Sequence, residues 1–544
     1  MSDRDKDVLW LEPQHLALTI PAGATVAQAL SQGGSALNQP CGGRGKCGKC
    51  LVRIEGAAAP TAQEEELLSP ERLAAGWRLA CLSPARPGLR VSLPQDQEQG
   101  LRILGGETDP ETAAPGLGRP QDGYKLACDI GTTTVVLYLL HPQSGAVLHT
   151  ASALNGQIAF GGDVISRIFS VCEDYQRLQE LQAAIVRTLN QLIARILDQS
   201  GLERGSIRQL GVAGNTTMEH LLLGADPRGL GKSPFIPAFL AAPASTAAEL
   251  GLDLDPATEV WLAPNLSAFV GGDITAGIYY TGLARQEELT LLLDIGTNNE
   301  MVIGNCHGLF ACSAAAGPAL EGAQISTGMR AAAGAVEKVR LDSQGGLQLQ
   351  TVGQAPPQGL CGSGLIDLLA LLVREGAVRP DGRFAQPGEV GRPDLSQRLR
   401  PGGKRHQEFV YCRQGELGAE RDLVLTQKDV REAQLAKSAI AVGIDKLLER
   451  LGLAAPDLHR VYLAGAFGNY IDQKNAMELG LLPRVAPDRV EAVRNAAGQG
   501  VCRALFDPQA QQQLERISRL CQPLNLAAED DFQQRFLARL QLGD

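Results

Sequence analysis

Two segments of this chain are written on one template. KLACDIGTTTVVLYLL holds Asp129, Gly131, Thr132, Thr133 and Thr134, and LTLLLDIGTNNEMVIG holds Asp294, Gly296, Thr297, Asn298 and Asn299. Each reads strand, Asp-Ile-Gly-Thr, polar turn, strand. Glycine in such a hairpin lets a phosphate approach main-chain N–H groups, and the neighbouring hydroxyls and amides add donors. An Asp at the strand end can orient water on a phosphate-bound Mg²⁺, which commonly retains several waters. A single D-x-G-T could serve any tight hairpin. Two copies in one context, 165 residues apart (294 less 129), point instead to duplicated subdomains that face each other across a cleft.

The remainder of the chain agrees with a multidomain protein. At 544 residues it exceeds one core of ordinary size. Residues 8–94 hold short apolar runs, HLALTI, KCLVRIEG and LRVSLP, with TVAQAL as a short helix among them, the pattern of a small β-rich domain. QDQEQGLRILGGETDPETAAPGLGRPQ is rich in Gly, Pro and acids and reads as a linker over 95–122. From 123 to 544 strands alternate with helices, as in an α/β fold, with subdomains expected over about 123–290 and 291–544. One helix is explicit: Thr426 and Asp429 form a T-x-x-D cap, then Leu435, Ala439, Ile440, Gly443, Ile444 and Leu447 share a face up to Gly452. The interior Gly443 costs about 1 kcal/mol against Ala, so close packing against another backbone is expected there.

Composition removes several functions. No stretch approaches the ~18 apolar residues of a membrane span, and the charged start MSDRDKDVLW lacks an apolar signal core, so a cytoplasmic, reducing location is expected. A net charge of -10 argues against a nucleic-acid scaffold, and 4% aromatic residues leave few stacking platforms.

Reducing conditions turn attention to clustered thiols as metal ligands. CGGRGKCGKC supplies Cys41, Cys47 and Cys50, and Cys81 follows in WRLACLSP. This is plant-type [2Fe-2S] spacing with one extra residue in the first interval. Gly42, Gly43, Gly45 and Gly48 let the backbone wrap inorganic sulfides and aim N–H groups at them. A zinc knuckle is the competing reading, because C-x-x-C is equally a zinc half-site, yet zinc sites usually pair two such motifs and Cys81 stands alone. The pattern C-G-G-x-G-x-C-G-x-C with a distant C-L resembles the [2Fe-2S] ferredoxins, implying a β-grasp fold over 8–94 with Cys41, Cys47, Cys50 and Cys81 as iron ligands.

The two Asp-Ile-Gly-Thr turns resemble the phosphate loops of the actin, Hsp70 and sugar-kinase superfamily. VYLAGAFGNYID, with Gly465, Ala466, Phe467 and Gly468 after a strand, resembles its adenosine loop. Gly362, Ser363 and Gly364 in LCGSGLIDLLA open a helix and would offer N–H donors to an anion or nucleotide. The strings GNTTMEHLLLG, AFVGGDITAGI, GPALEGAQISTGM, REAQLAKSAIAVGI and AGAFGNYID, with those above, resemble the reductive activators of corrinoid-dependent enzymes over nearly the whole chain. That resemblance implies an iron–sulfur domain joined to a two-lobed, actin-like ATPase with duplicated ribonuclease-H-like subdomains. Its cofactors would be a [2Fe-2S] cluster, ATP and Mg²⁺. Its partners would be a corrinoid protein or corrinoid-dependent methyltransferase, reduced from Co(II) to Co(I), and a low-potential electron donor; a homodimer is left open. An activator of a radical dehydratase and a small-molecule kinase with a redox-sensing appendage are the alternatives, and the complete N-terminal Cys set favours the corrinoid reading. Arg494 in VRNAAGQG stands where the family pattern has Gly.

Other residues carry two readings each. Glu300 could orient the attacking water for ATP hydrolysis or sit in a salt bridge. Asp273 in FVGGDITAGI and Glu321 in GPALEGA suit metal or ribose contacts. Cys128, Cys312 and Cys361 are read as small buried hydrophobes, with a second cluster between subunits as the alternative. His220 is read as core or cap, with a ligand as the alternative, and Asp163 as a helix cap, with an interdomain role as the alternative.

Overall fold

The computed structural model describes residues 8–94 and 123–543, apart from 14, 34, 36, 38, 40–42, 47, 297, 323, 344, 403–405 and 469. The expected linker 95–122 lies outside them, as do Cys41, Cys47 and Thr297. The chain divides into two compact units, one reaching to Ala276 and taking in Ala497–Gln511, the other formed by Gly277–Ala496 and the chain from Gln512.

In the first unit, alternating apolar residues make the N-terminal strands half-buried. β1 (Val8–Glu12), β2 (Leu16–Thr19), β3 (Leu51–Ile54), β4 (Trp77–Leu79) and β5 (Arg90–Ser92) form one sheet in the order β2-β1-β5-β3-β4. Helix Val26–Gln32 starts at a capping box between Thr25 and Gln28. It lays Val26, Ala27, Ala29 and Leu30 on Leu9, Val52 and Leu79 of the sheet.

The same unit holds a second sheet, built from β6 (Tyr124–Ile130), β7 (Thr134–Leu140), β8 (Val147–Leu154), β9 (Ile207–Gly214), β10 (Ser245–Thr246) and β11 (Glu259–Leu262), ordered β10-β11-β9-β6-β7-β8. β6, β7 and β8 are antiparallel, while β9 runs parallel to β6 and β11 parallel to β9. One face is covered by the long helix Arg177–Ser200 through Leu181, Ile185, Leu189, Leu192 and Ile196. The other packs Val501 and Leu505 against Ala127, Val136, Tyr138 and Leu140. That burial is why Ala497–Gln511 returns to the first unit, so the two units do not follow a single cut in the sequence.

The second unit repeats the plan. β12 (Thr290–Ile295), β13 (Asn299–Asn305) and β14 (Gly308–Ala314) are antiparallel. Two small three-stranded sheets follow, β15 (Ala335–Leu341), β16 (Leu347–Thr351) and β17 (Gly359–Leu360), then β18 (Leu399–Gly402), β19 (His406–Cys412) and β20 (Leu423–Thr426). β21 (Arg460–Ala464), β22 (Val490–Arg494) and β23 (Cys521–Leu524) complete the main sheet, ordered β22-β21-β12-β13-β14-β23. β21 is parallel to β12 and β22 to β21, so the order and directions around β12 match those around β6. The template repeated in sequence is thus a repeated five-strand arrangement in space. Arg494 adopts φ +55°, a left-handed conformation that disfavours a side chain, beside a register shift at Ala464.

Helix Gln427–Leu451 begins at the Thr426–Asp429 capping box and ends on Gly452 in the left-handed conformation. Gly443 makes a close approach, but to a side chain rather than a backbone: a Cβ there would stand 2.4 Å from Met301 Cε and 2.7 Å from its Sδ. The flexible thioether fills the notch that the missing side chain leaves. Gly443→Ala should therefore destabilise the chain by about 1–2 kcal/mol through overpacking. In a Met301→Ala background the same change should stabilise by up to about 1 kcal/mol, through helix propensity. Urea unfolding of the four members of this cycle checks the reversal of sign.

Candidate functional site

The first Asp-Ile-Gly-Thr turn joins β6 to β7 in the first unit. Gly131 N–H donates to Thr134 O at 2.9 Å, which closes the turn within four residues. Its carbonyls are engaged from outside the turn. Asn155 Nδ2 donates to Gly131 O at 2.9 Å, Asn155 N–H to Thr133 O at 2.9 Å, and Arg167 Nη2 to Thr132 O at 2.5 Å. Asn215 caps helix Thr216–Leu222 by accepting Met218 N–H and also donates to Thr132 Oγ1 at 3.0 Å. The turn is therefore pinned from three sides, by Asn155, Arg167 and Asn215. Asp129 lies at the end of β6, in register with Val136 and Ala213. Asn155, Arg167 and Asn215 were not singled out from sequence. Asn215 was legible as a cap before an apolar run, whereas Asn155 and Arg167 carry no local signal.

On helix Thr216–Leu222, Glu219 is fully buried. Its Oε2 accepts Asn265 Nδ2 at 2.7 Å, and burial pushes its carboxyl well above the usual range. Gly272 opens helix Gly272–Thr281 directly against it and places Asp273 in the same neighbourhood. His220 is core, as expected: Nδ1 bonds Thr216 O at 2.7 Å, Nε2 accepts Ala238 N–H at 3.0 Å, and the ring stacks on Phe239. Asp163 caps helix Val164–Glu173 by accepting Ser166 N–H at 2.7 Å.

The second turn joins β12 to β13, and Gly296 N–H donates to Asn298 O at 3.2 Å. Burial raises the Asp294 carboxyl to about 6. Gly465, at φ +84°, begins the short helix Gly465–Gly468 in contact with it; a Cβ there would stand 2.8 Å from Asp294 Oδ1 and 2.6 Å from Ile295 O. Only glycine meets both demands, so the segment beginning at Gly465 is held against the second Asp-Ile-Gly-Thr turn. Glu321 also converges, its Oε1 lying 3.9 Å from a Cβ built on Gly296. Glu300, nearly buried, accepts Ser313 Oγ at 3.2 Å. Gly362, Ser363 and Gly364 are buried at the start of helix Gly362–Arg374, with Ser363 Oγ 3.3 Å from Cys361 Sγ. The side chains of Ala466 and Phe467 lie outside the described residues, as does Thr297. Cys128, Cys312 and Cys361 are buried, and burial raises each thiol, as befits small core residues rather than thiolate ligands.

In the N-terminal sheet, Cys50 precedes β3 and Cys81 follows β4. Ala80 N–H donates to Cys50 O at 2.9 Å, which brings the two thiols to 3.2 Å, Sγ to Sγ. Both are buried and neither is in a disulfide. Gly43, Gly45 and Gly48 all have φ between +65° and +77° in the preceding loop. Two converging buried thiols beside a loop with left-handed turns are a donor set that suits a thiolate-ligated cluster.

Three family descriptions cover the chain: the 2Fe-2S iron–sulfur cluster binding domain over residues 11–86, the RACo middle region over 124–286, and the C-terminal domain of RACo, the ASKHA domain, over 288–544. The corrinoid activation enzyme RamQ of Eubacterium limosum is 38% identical over 421 residues, 77% of this chain and 70% of that protein. The [Co(II) methylated amine-specific corrinoid protein] reductase of Methanosarcina barkeri is 27% identical over 377 residues, 68% of this chain and 67% of the other. The solved structure of a reductive activator for corrinoid, iron–sulfur protein superposes with a TM-score of 0.70 at 32% identity, covering 99% of this chain and 98% of that one. With an iron–sulfur domain ahead of two like-ordered sheets that each carry an Asp-Ile-Gly-Thr turn, this chain belongs to the family of reductive activators of corrinoid proteins.

Proposed function

We propose that the protein uses ATP to return a corrinoid protein, or the corrinoid subunit of a methyltransferase, from Co(II) to Co(I). The observation that carries this reading is the union in one chain of a thiol pair suited to an iron–sulfur cluster with two turns suited to phosphate. Cys50 and Cys81, joined by Cys41 and Cys47, would hold a [2Fe-2S] cluster, which supplies one electron at a time. The electron's source would be a low-potential donor and its destination the partner's cobalt, in the cytoplasm.

On the nucleotide side, Gly131 would let phosphate approach the first turn, where Thr132, Thr133 and Thr134 would contact it. Gly296, Thr297 and Asn298 would play the same part at the second turn. Asp129 and Asp294 would orient the waters of a nucleotide-bound Mg²⁺. Glu321 and the segments Gly362–Gly364 and Gly465–Gly468 would position the rest of the nucleotide. Glu300, held by Ser313, is suited to orienting the attacking water, since positioning dominates phosphoryl transfer. An electron transfer that is unfavourable alone proceeds only if ATP interacts unequally with two states of the complex.

Asp129→Ala and Asp294→Ala should each lower Mg-ATP turnover by about 100-fold or more, as loss of an electrostatic positioning group commonly does. Wild-type hydrolysis in both variants would return the turns to structural hairpins. Because the Asp294 carboxyl titrates near 6, turnover should fall as pH drops through that value. The sign for stability is opposite. A raised carboxyl pKa means the native state keeps a proton that the unfolded chain has released, so the ionised group costs stability above about pH 6 and costs nothing below about pH 4. Asp294→Asn should therefore stabilise the nucleotide-free protein at pH 7.5, by about 1–2 kcal/mol, with no gain at pH 4; thermal unfolding at the two pH values checks it.

Cluster content forms a separate test. Protein purified without oxygen should hold two irons and two sulfides per chain, and Cys81→Ser should lose cluster and corrinoid reduction while binding ATP. Stoichiometric zinc without sulfide would refute the assignment.

A further inference from the structure

Arg167 is the largest fully buried side chain among the described residues, and its hydrogen-bond partners there are all neutral. Nε donates to Gly161 O at 2.9 Å, Nη1 to Gln157 Oε1 at 3.2 Å and to Met218 Sδ at 3.0 Å, and Nη2 to Thr132 O at 2.5 Å. Burial lowers its pKa to about 9, so it is still a cation at neutral pH. Asp163, at the cap of the same helix, acts on the guanidinium through space without a hydrogen bond to it; a buried cation held by neutral acceptors is still costly, and a further oxyanion would relieve it. The contact to Thr132 puts this cation directly behind the first phosphate-type turn.

Its other contacts lead away from that turn. Gln157 and Gly161 belong to or flank the 3-10 turn Gly156–Phe160, which Asn155 begins by accepting Gln157 N–H at 3.0 Å. Asn155 is the same residue that bonds Gly131 and Thr133. On its far side the 3-10 turn meets the iron–sulfur domain: Ser31 Oγ, on helix Val26–Gln32, donates to Gly156 O at 3.2 Å, and both residues are buried. That helix in turn leans on the thiol pair, with Val26 N–H on Ser83 O at 2.8 Å and Ala27 N–H on Ala80 O at 3.1 Å, either side of Cys81. One short turn therefore touches both the nucleotide-type loop and the domain that holds Cys50 and Cys81.

We propose that Arg167 and Asn155 are positioning residues that pass a change at the Asp129–Thr134 turn, through Gly156–Phe160, to the docking of helix Val26–Gln32. This rests on the reading of that turn as a phosphate loop. Phosphate at the turn attracts the guanidinium toward Thr132 and away from Gln157 and Gly161, which loosens the seat of Ser31. Nucleotide thus weakens the hold on the iron–sulfur domain, and by linkage a weaker hold favours nucleotide by the same factor.

Hydrogen exchange of the full-length, cluster-loaded protein tests this, with and without a Mg²⁺-bound non-hydrolysable ATP analogue whose binding is measured separately by calorimetry. Wild-type amides over 27–33 should exchange at least about threefold faster with the analogue, the scale set by one neutral hydrogen bond. Arg167→Lys keeps the charge but loses the fork, and should bind the analogue with those amides silent. Ser31→Ala, which leaves the nucleotide contacts intact, should show fast exchange already without analogue and bind it up to about threefold more tightly. Binding with unchanged exchange over 27–33 in wild type, a wild-type response in Arg167→Lys, or wild-type behaviour of Ser31→Ala in both readouts would each overturn the proposal while leaving the phosphate-loop reading standing. Absence of analogue binding to wild type would remove both.

Discussion

A hairpin turn can meet a phosphate only if its carbonyls are occupied elsewhere, because an unpaired carbonyl beside an anion repels it and a buried one is costly. The turn at Gly131–Thr134 meets that condition through Asn155, Arg167 and Asn215, which between them engage three carbonyls and one hydroxyl. Much of the first unit is arranged to bring those three side chains there. Helix Val164–Glu173 carries Arg167, the cap of Thr216–Leu222 is Asn215, and the end of β8 runs into Asn155. The second unit supports its turn differently, with Gly465 pressed on Asp294 and Glu321 close to Gly296. The two sheets share strand order and direction, yet the side chains around their turns have diverged.

Much of this could be read from the sequence because the decisive signals are local. Asp-Ile-Gly-Thr between two apolar runs is a hairpin in both places. Thr426 with Asp429, and Asp163 before an apolar helix, cap where their residue types say they should. The spacing of Cys50 and Cys81 gave no distance, but β3 and β4 pair as neighbours and bring the thiols together. Arg494 stood out against the family pattern and does occupy a left-handed backbone position.

What escaped was long-range. Arg167 looked like one more helical arginine, and nothing within ten residues says that it is buried against a turn 35 residues earlier. Asn155 sits in a Gly-rich passage with no periodicity. Gly443 signalled a close approach but not its partner, because Met301 lies on a strand 142 residues away (443 less 301). The return of Ala497–Gln511 to the first unit has the same origin: an amphipathic helix shows that it needs an apolar surface, but not which of two similar sheets supplies it. Pairing between distant elements is fixed by shape, and single-sequence patterns hold little of it.

An iron–sulfur domain and a pair of Asp-Ile-Gly-Thr turns in one chain have a joint purpose only if nucleotide decides whether an electron reaches cobalt. The direct measurement follows the absorption spectrum of a cognate Co(II) corrinoid protein mixed with the reduced, cluster-loaded protein, with and without Mg-ATP. Conversion to the Co(I) spectrum is expected only when Mg-ATP is present. Equal reduction of the intact partner without nucleotide would contradict it.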